Sequence, residues 1–374
     1  MKPKIETLTI ERFRALERIE LSGLGRVTLI TGRNNTGKSS ILEALQILVS
    51  DASPSIINKI LRFREEHTGE IEDQNQPANA EGMFPWSSLF NGFPQFSTDI
   101  KPIVIRSNGR QRSLDLSLEA CWLSEELGPD GSRRFVSRQQ SLFEGEEDYP
   151  ALRVKSNNIE RLLPLSRLRR RFGYRSALRT EVEDQAFTCL FVSPYGGEGT
   201  ATLGYLWDKI ALSDREEDVV EALRIIDDGI IGVSMVGGEG AHHARTAIVR
   251  SKQIQRPVPL RSFGDGLNRL FGIILSLVNA KSGILLVDEF ENGMHHTVQL
   301  DAWRAVFKLA TRLDIQVVAT SHSWDAIDAF QKAASEVPDE GVLIRLTKKG
   351  NEIIPTIFDE KELAVAARER IEVR

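Results

Sequence analysis

Residues 32–39 read GRNNTGKS, which matches the phosphate-binding P-loop pattern G-x-x-x-x-G-K-[ST]. The β-branched run VTLIT at 27–31 precedes this stretch and predicts a buried strand. Apolar residues then recur at helical spacing from Ile41 to Val49, so a helix is predicted to begin at about Lys38. The motif requires this strand–loop–helix context, and its presence argues against a chance glycine-rich turn.

The residue types of the P-loop fit a triphosphate. Glycines at 32 and 37 let the backbone turn tightly and approach phosphate without Cβ clashes, and the N–H groups of residues 34–39 can hold phosphate oxygens at the start of a helix. Lys38 supplies a charge for the β- and γ-phosphates, and Ser39 a hydroxyl for Mg²⁺. The predicted nucleotide-binding residues here are Gly32, Asn34, Asn35, Thr36, Gly37, Lys38, Ser39 and Ser40.

Length and composition limit the class of protein. The chain has 374 residues, which suggests two domains or one large α/β domain with an insertion. Its shares of hydrophobic (41%) and charged residues (27%) are ordinary for a globular protein, and no apolar run approaches the length of a membrane span. Two distant cysteines and a polar N-terminus lead us to expect a reducing cytoplasm and no membrane contact. The net charge is −5, so any contact with nucleic acid must come from a local patch.

Residues 284–293, ILLVDEFENG, complement the P-loop. Four apolar residues predict a central parallel strand, and ligands of such sheets sit at the carboxyl ends of the strands, where Asp288 and Glu289 follow. Asp288 is predicted to hold the Mg²⁺ shell, and Glu289 to orient or deprotonate the attacking water. The next predicted strand ends in His322, whose imidazole could contact the γ-phosphate. The alternatives are a solvated strand end for the acids and a surface position for the histidine.

A second anion site is predicted at residues 262–266, SFGDG, which open another helix. One chain has one P-loop, so this turn suits a nucleotide bound mainly by another copy; the alternative is a helix-capping turn. Two histidine pairs, 242–243 and 295–296, could suggest metal ligands. Adjacent side chains point apart on a strand or helix, so we interpret both pairs as structural or solvated.

The middle of the chain divides by composition. Residues 51–150 predict a β-rich lobe that contains a hairpin around Asn108–Gly109, and residues 151–254 a helical, arginine-rich insertion. The ATPase core is then discontinuous, at 1–50 and 255–374. The arginines of the 151–254 insertion could contact nucleic acid, pair with the protein's own acids, or bind an anionic protein partner. They are Arg161, Arg167, Arg169, Arg170, Arg171, Arg175 and Arg179.

These motifs, in this order, resemble the ABC-type ATPases of the SMC, RecF and OLD (overcoming lysogenisation defect) group. GRNNTGKS resembles the Walker A motif, SFGDG the signature, LLVDEFENG the Walker B motif with its catalytic glutamate, and His322 the switch histidine. GDGLNRL and VDEFENGMHH are most similar to OLD-type heads. The resemblance implies an α/β P-loop fold with an ABC-ATPase-type mixed sheet, interrupted between Walker A and the signature by a β-rich and helical insertion.

The resemblance also implies function. It implies Mg²⁺-dependent ATP hydrolysis by Glu289, Lys38 and His322, in a homodimer or higher oligomer that holds ATP between two copies. Ser262, Gly264 and Gly266 would then act in trans, and Phe13 or Arg14 would border the nucleotide.

Some features depart from the group's pattern. His295 replaces the usual aspartate after Walker B, Phe263 and Asp265 stand where the common signature has glycines, and Gln95 is only a candidate for the Q-loop. The chain ends about fifty residues after His322, too few for a Toprim domain of usual size. We therefore expect no nuclease site in the chain itself. By analogy, we expect a sensor or scaffold in bacterial anti-phage defence that acts with a separately encoded effector; the alternative is a RecF-like, DNA-binding ATPase in repair.

Overall fold

The structure is a computed structural model. It describes residues 3–66, 86–95, 97–109, 112–127, 133–138, 149–157, 159–164, 187–194, 200–237, 245–358 and 362. The strands are β1 (Thr7–Phe13), β2 (Leu16–Leu21), β3 (Val27–Gly32), β4 (Ile103–Asn108), β5 (Ser113–Leu127), β6 (Arg133–Arg138), β7 (Tyr149–Ser156), β8 (Ile159–Pro164), β9 (Cys189–Val192), β10 (Ile230–Val236), β11 (Thr246–Ser251), β12 (Ile254–Pro259), β13 (Ile284–Val287), β14 (Gln316–Thr320), β15 (Gly341–Lys349) and β16 (Glu352–Phe358). The helices are α1 (Lys38–Val49), α2 (Pro54–Phe63), α3 (Thr200–Asp208), α4 (Asp214–Arg224), α5 (Asp265–Asn279), α6 (His296–Arg312) and α7 (Trp324–Ser335), with 3-10 turns at Trp86–Leu89 and Leu260–Phe263.

A six-stranded sheet carries the P-loop. Its order is β16-β15-β3-β14-β13-β9, and all neighbouring pairs are parallel except β15 with β16. Strands β3, β13 and β14 are buried along their whole length, as parallel strands covered on both faces must be. Because β14 lies between β3 and β13, the carboxyl ends of these three strands meet at one edge of the sheet.

A second, seven-stranded sheet is antiparallel. Its order is β2-β1-β4-β5-β7-β8, and β6 also pairs with β5. The hairpin predicted around Asn108–Gly109 is present, with Asn108 paired to Ser113. Strands β7 and β8 extend this sheet to Pro164, so the boundary expected at residue 150 falls inside it, and Tyr149–Ser156 and Ile159–Pro164 are strands where a helical insertion was expected. The sheet also includes β1 and β2, which the sequence analysis assigned to the ATPase core.

Helix α1 lies between the two sheets. Ten of its twelve residues are buried, and they share a hydrophobic core with Ile10, Phe13 and Leu116 of the antiparallel sheet and with Ile30 of β3. The side chains of β13 and β14 alternate between this core and a second one, as successive strand residues must. That second core lies on the opposite face, where α3 to α7 pack. The helix that begins at the P-loop is thus fixed on both sides.

A three-stranded antiparallel sheet, β10-β11-β12, leads into the signature turn. Strand β12 is followed directly by the 3-10 turn Leu260–Phe263, and α5 then begins at Asp265. Eleven of the fifteen residues of α5 are buried. Within the described ranges, no helix has the length and apolar character needed to cross a membrane.

Candidate functional site

The backbone of the P-loop has the left-handed conformations that its glycines permit. Gly32 has φ 146° and Gly37 φ 82°, and Asn35, a residue type that tolerates this region, has φ 61°. A Cβ on Gly32 would lie 2.6 Å from the carbonyl oxygen of Leu346, and one on Gly37 would lie 2.6 Å from Cδ2 of Leu16. The positive φ favours glycine at both positions, and at Gly32 the nearby backbone oxygen leaves no space for a Cβ, whereas at Gly37 the crowding atom is a side-chain methyl group of Leu16.

Some side chains of the P-loop are exposed, and others form hydrogen bonds within the loop. Asn34 and Asn35 are exposed, whereas Thr36 is buried and donates a hydrogen bond to the Arg33 carbonyl at 2.8 Å. Lys38 Nζ donates to the carbonyls of Gly32 (2.7 Å) and Arg33 (3.0 Å). Ser39 and Ser40 lie in the first turn of α1, with Ser40 buried.

Electrostatics around Lys38 have two opposing parts. Burial lowers the pKa of its ammonium group, and the carboxylates of Asp288, Glu289 and Glu291 act in the opposite direction. Three acids of the loop after β13 therefore act electrostatically on the P-loop lysine. This is the charge pattern expected where a cationic side chain and a metal–triphosphate share one site.

Asp288 connects the start of α1 with the end of β14. Its Oδ1 accepts hydrogen bonds from Ser39 Oγ (3.2 Å) and Thr320 Oγ1 (2.5 Å), and the side chain is only 3% exposed. Thr320 Oγ1 also accepts from the backbone N–H of Glu289 at 2.9 Å. One hydroxyl at the end of β14 thus orients both acids at the end of β13. The Ser39 hydroxyl and the Asp288 carboxylate are hard oxygen ligands, and they fit a Mg²⁺ ion that takes its remaining ligands from phosphate and water.

Glu289 is held in an unusual backbone conformation. Its φ is 47°, in the left-handed region that costs a non-glycine residue of order 1 kcal/mol or more. Its carboxylate accepts a hydrogen bond from Asn292 Nδ2 at 2.5 Å and remains 36% exposed. A strained residue with an oriented, solvent-accessible carboxylate fits the role of positioning a water molecule.

His322 lies beside these acids, at the turn between β14 and α7. Its Nδ1 is 3.3 Å from Glu291 Oε1 and 3.8 Å from Glu289 Oε1, and the side chain is 46% exposed. The structure therefore brings together Lys38, Ser39, Asp288, Glu289 and His322, which the sequence analysis had selected.

Sequence analysis missed three members of this cluster. Thr320 ends β14 two residues before His322, and Glu291 lies within the ILLVDEFENG stretch, so polar side chains close to motif residues were the available signal. Arg269 is one helical turn into α5 and only 1% exposed. Its guanidinium donates to the backbone carbonyls of Ser193 and Asp288 (3.0 Å for the latter), so it attaches the signature helix to the ends of β9 and β13.

The signature turn is separate from the P-loop of the same chain. Ser262 and Gly264 are exposed, and Gly264, with φ 109°, precedes α5. A cleft of about 660 Å³ adjoins this turn, lined by Phe263–Leu267, the end of α4 and residues 293–295, and by no P-loop residue. The structure does not bring Ser262, Gly264 or Gly266 to the phosphate loop of its own chain.

Several other expected positions have different surroundings. Phe13 is fully buried in the core that it shares with α1. Arg14 forms ion pairs with Glu43 of α1 (2.5 Å) and with Glu66 (2.8 Å), so both residues stabilise the P-loop helix. Gln95 is exposed.

The histidine pairs have different outcomes. The rings of His295 and His296 lie together, with centroids 4.1 Å apart, so the prediction that they point apart is wrong. His295 is the N-cap of α6, outside the regular helix, and its Nδ1 accepts from the Thr297 N–H at 3.4 Å. The pair 242–243 lies outside the described residues.

Of the arginine-rich stretch, the structure describes Arg161. Its guanidinium pairs at 2.7 Å with Asp51, just after the end of α1. At this position an ion pair within the protein accounts for the arginine. The other six, at 167, 169, 170, 171, 175 and 179, lie outside the described residues.

Two families match separate parts of the chain. One is described as an AAA ATPase domain and matches residues 3–96, which include the P-loop. The other is described as "AAA domain, putative AbiEii toxin, Type IV TA system" and matches residues 195–328, which include the signature turn, the acids after β13 and His322. These matches support the broad group of AAA- and ABC-type ATPases and do not single out the OLD-type branch.

Two relatives are similar in sequence. An ATP/GTP phosphatase of Helicobacter pylori is 22% identical over 348 residues, which cover 89% of each chain. An uncharacterized protein of Methanocaldococcus jannaschii is 46% identical over 59 residues, 16% of this chain and 27% of that protein.

Solved structures agree on the fold. An SMC head bound to the C-winged helix domain of ScpA aligns with a TM-score of 0.53 and 10% identity, covering 96% of this chain and 98% of that one. An SMC head bound to the C-terminal domain of ScpA, derived from Pyrococcus furiosus, aligns with a TM-score of 0.50 and 11% identity, covering 99% and 100%. The predicted fold class, a P-loop fold of the ABC-ATPase type, is confirmed.

Proposed function

We propose that this chain hydrolyses ATP in a Mg²⁺-dependent reaction, within a homodimer that closes around the nucleotide. The observation that carries the proposal is the bonding of Ser39, Asp288 and Thr320. It joins the P-loop helix, the acids after β13 and the end of β14 into one site. The ATP/GTP phosphatase among the relatives supports hydrolysis of a nucleoside triphosphate and makes GTP the natural alternative substrate to test.

The residues of the site have separate roles in this reaction. The N–H groups of the P-loop and the Lys38 ammonium bind the phosphates, while Ser39 and Asp288 would hold Mg²⁺, which when bound neutralises charge that develops on the phosphoryl oxygens. Glu289 orients the attacking water and accepts its proton.

The second copy would complete the site. In one chain the signature turn is exposed and its adjoining cleft includes no P-loop residue, so Ser262, Gly264 and Gly266 are available to a phosphate held by a partner. The backbone N–H groups at the start of α5 and the helix dipole would favour the anionic γ-phosphate. The dimer interface would thus be symmetric, with each copy lending its signature to the other.

The test is ATP turnover together with mass in solution. The wild type is expected to release phosphate with ATP and Mg²⁺. The Glu289→Gln variant is expected to lose at least about 100-fold in kcat and to elute as an ATP-dependent dimer, because it binds but does not turn over the nucleotide. Glu17→Gln, an exposed change of the same type on β2, is the matched control. Hydrolysis by Glu289→Gln at the wild-type rate would show that another group is the base.

For the biological role, we propose a sensor or scaffold in bacterial defence that acts with a separately encoded effector. This role is supported by the match to the family described as "AAA domain, putative AbiEii toxin, Type IV TA system". The alternative, a RecF-like DNA-binding ATPase, depends on the arginine-rich stretch.

A DNA titration separates these two roles. If the stretch contacts phosphate, binding falls steeply between about 50 and 200 mM salt, and the change of Arg169, Arg170 and Arg171 to alanine weakens it. Absence of DNA binding at low salt would exclude the RecF-like role.

A further inference from the structure

Glu291 is a buried acid with no role in the reaction described above. It lies two residues after Glu289, and its side chain is only 8% exposed. Its Oε1 accepts hydrogen bonds from the backbone N–H groups of His322 (3.0 Å) and Ser323 (3.1 Å). The same oxygen is 3.3 Å from Nδ1 of His322. One carboxylate oxygen therefore accepts two backbone N–H groups of the turn between β14 and α7 and lies beside a ring nitrogen of the same turn.

The chemistry of a carboxylate restricts the imidazole beside it. An ionised carboxylate only accepts hydrogen bonds, so a ring nitrogen that bonds to it must carry the proton. With Nδ1–H directed at Glu291, Nε2 is the nitrogen of His322 left for a ligand. This is the arrangement in which an outer carboxylate fixes the tautomer and ring orientation of a functional histidine.

The charge on Glu291 is not explained by the backbone bonds alone. A neutral glutamine carbonyl could accept from the N–H groups of His322 and Ser323 equally well, at less cost of burial. Glu291 Oε2 is buried and accepts no hydrogen bond from the described residues. The carboxylate also acts on the Lys38 ammonium, against the effect of burial. The acid thus bonds to the turn between β14 and α7 and also acts electrostatically on the phosphate-binding lysine.

We propose that Glu291 is a positioning residue: it holds His322 with Nδ1 protonated, so that Nε2 faces the γ-phosphate. The inference rests on the proposed function for its catalytic consequence, but the tautomer it specifies is a property of the nucleotide-free chain. The backbone N–H groups of His322 and Ser323 bond to the same oxygen that faces Nδ1, so a glutamine at 291 keeps its carbonyl oxygen there and preserves the Nδ1–H form, whereas alanine removes the acceptor.

The experiment compares Glu291→Gln, Glu291→Ala and wild type. The ¹⁵N resonances of the imidazole are recorded without nucleotide, and His322 is identified among the six histidines by the signal lost in His322→Asn. Steady-state kcat and KM for ATP are measured on the same samples. Asp325→Asn removes an exposed acid from the first turn of α7 and is the matched control.

The expected result is an Nδ1–H imidazole in the wild type and in Glu291→Gln, and a shift toward Nε2–H in Glu291→Ala. In Glu291→Ala we expect kcat to fall about 10- to 100-fold, the usual effect of losing such a partner, with KM changed less than about threefold. The Asp325→Asn control should match the wild type in both measurements. If Glu291→Ala fails to fold, Glu291→Leu carries the test, since it fills a similar volume without an acceptor oxygen.

Two results would overturn the inference. One is an Nε2–H tautomer for His322 in the wild type, and the other is a Glu291→Ala variant with wild-type tautomer and kcat. A wild type that does not hydrolyse ATP would instead refute the proposed function, and the tautomer measurement would still decide whether Glu291 positions the ring.

Discussion

Replacement of Thr320 by valine removes one hydroxyl from the centre of the site and preserves its shape. Thr320 is fully buried, and its Oγ1 donates to Asp288 and accepts from the Glu289 N–H. A hydrogen bond to a charged group contributes about 1.5–3 kcal/mol, and a buried N–H left unpaired costs about 1–3 kcal/mol. Because Glu289 is partly exposed, water can replace part of the lost hydrogen bonding, so we expect the free energy of unfolding to fall by about 2–4 kcal/mol.

Both stability and turnover should report this loss. With an unfolding entropy of about 2.1 cal/mol/K per residue, the whole chain has about 0.8 kcal/mol/K, so the thermal midpoint should fall by about 3–5 °C. Asp288 and Glu289 also lose their common orienting group, and a penalty of 1.4–2.8 kcal/mol in the transition state would lower kcat/KM by about 10- to 100-fold.

Thr320→Ser is the control, because serine keeps the hydroxyl and loses only a methyl group. It should retain most of the activity and lose about 1 kcal/mol of stability. Differential scanning calorimetry and phosphate release measure the two effects. Wild-type behaviour of Thr320→Val, or equal damage from serine and valine, would refute the argument that this hydroxyl orders the two acids.

Three further outcomes follow from individual residues. An alanine in the left-handed region costs about 1–2 kcal/mol, and Gly37→Ala should destabilise the chain by more than this because its Cβ would also meet Leu16. Gly92→Ala is the control: at φ 80°, and with no atom within 4 Å of the added Cβ, it should show the backbone cost alone in denaturant titrations. ATP with Mg²⁺ should raise the thermal midpoint of the wild type by a concentration-dependent amount and leave Lys38→Ala unchanged, since only a ligand bound to the folded state stabilises it. Burial raises the pKa of the Cys121 thiol to about 11, so at pH 8 a thiol reagent should modify only the partly exposed Cys189 of the native chain and reach Cys121 in denaturant. Prompt reaction of both thiols in the native chain would contradict the burial of Cys121 in β5.

Local sequence was sufficient to predict the structure where a functional motif and a secondary-structure element occupy the same stretch. The run VTLIT, the glycines of the P-loop and the apolar spacing that follows predicted β3 and α1, and the structure has both at those positions. The acids after ILLV were likewise expected at the carboxyl end of a central strand. In each case a short stretch contains both the element and the residue that the element positions.

Features that depend on distant partners were not predictable. Nothing in LTIERF indicates that β1 pairs with β4, almost a hundred residues later, or that β7 and β8 continue the same sheet beyond residue 150. Arg269 looked like an ordinary helix residue, because its acceptors, the carbonyls of Ser193 and Asp288, are fixed only by the packing of α5 on the sheet. The pairing of Arg161 with Asp51 also had no local signal.

The trans arrangement can be measured directly by mixing two inactive variants. Lys38→Ala disables the P-loop and keeps the signature, whereas Ser262→Glu places a negative charge on the exposed signature turn and keeps the P-loop. If each site combines the P-loop of one copy with the signature of the other, a mixed dimer has one intact site, and an equimolar mixture should recover about a quarter of the wild-type ATPase activity. Recovery of no activity, with mixed dimers demonstrated in the sample, would contradict the account.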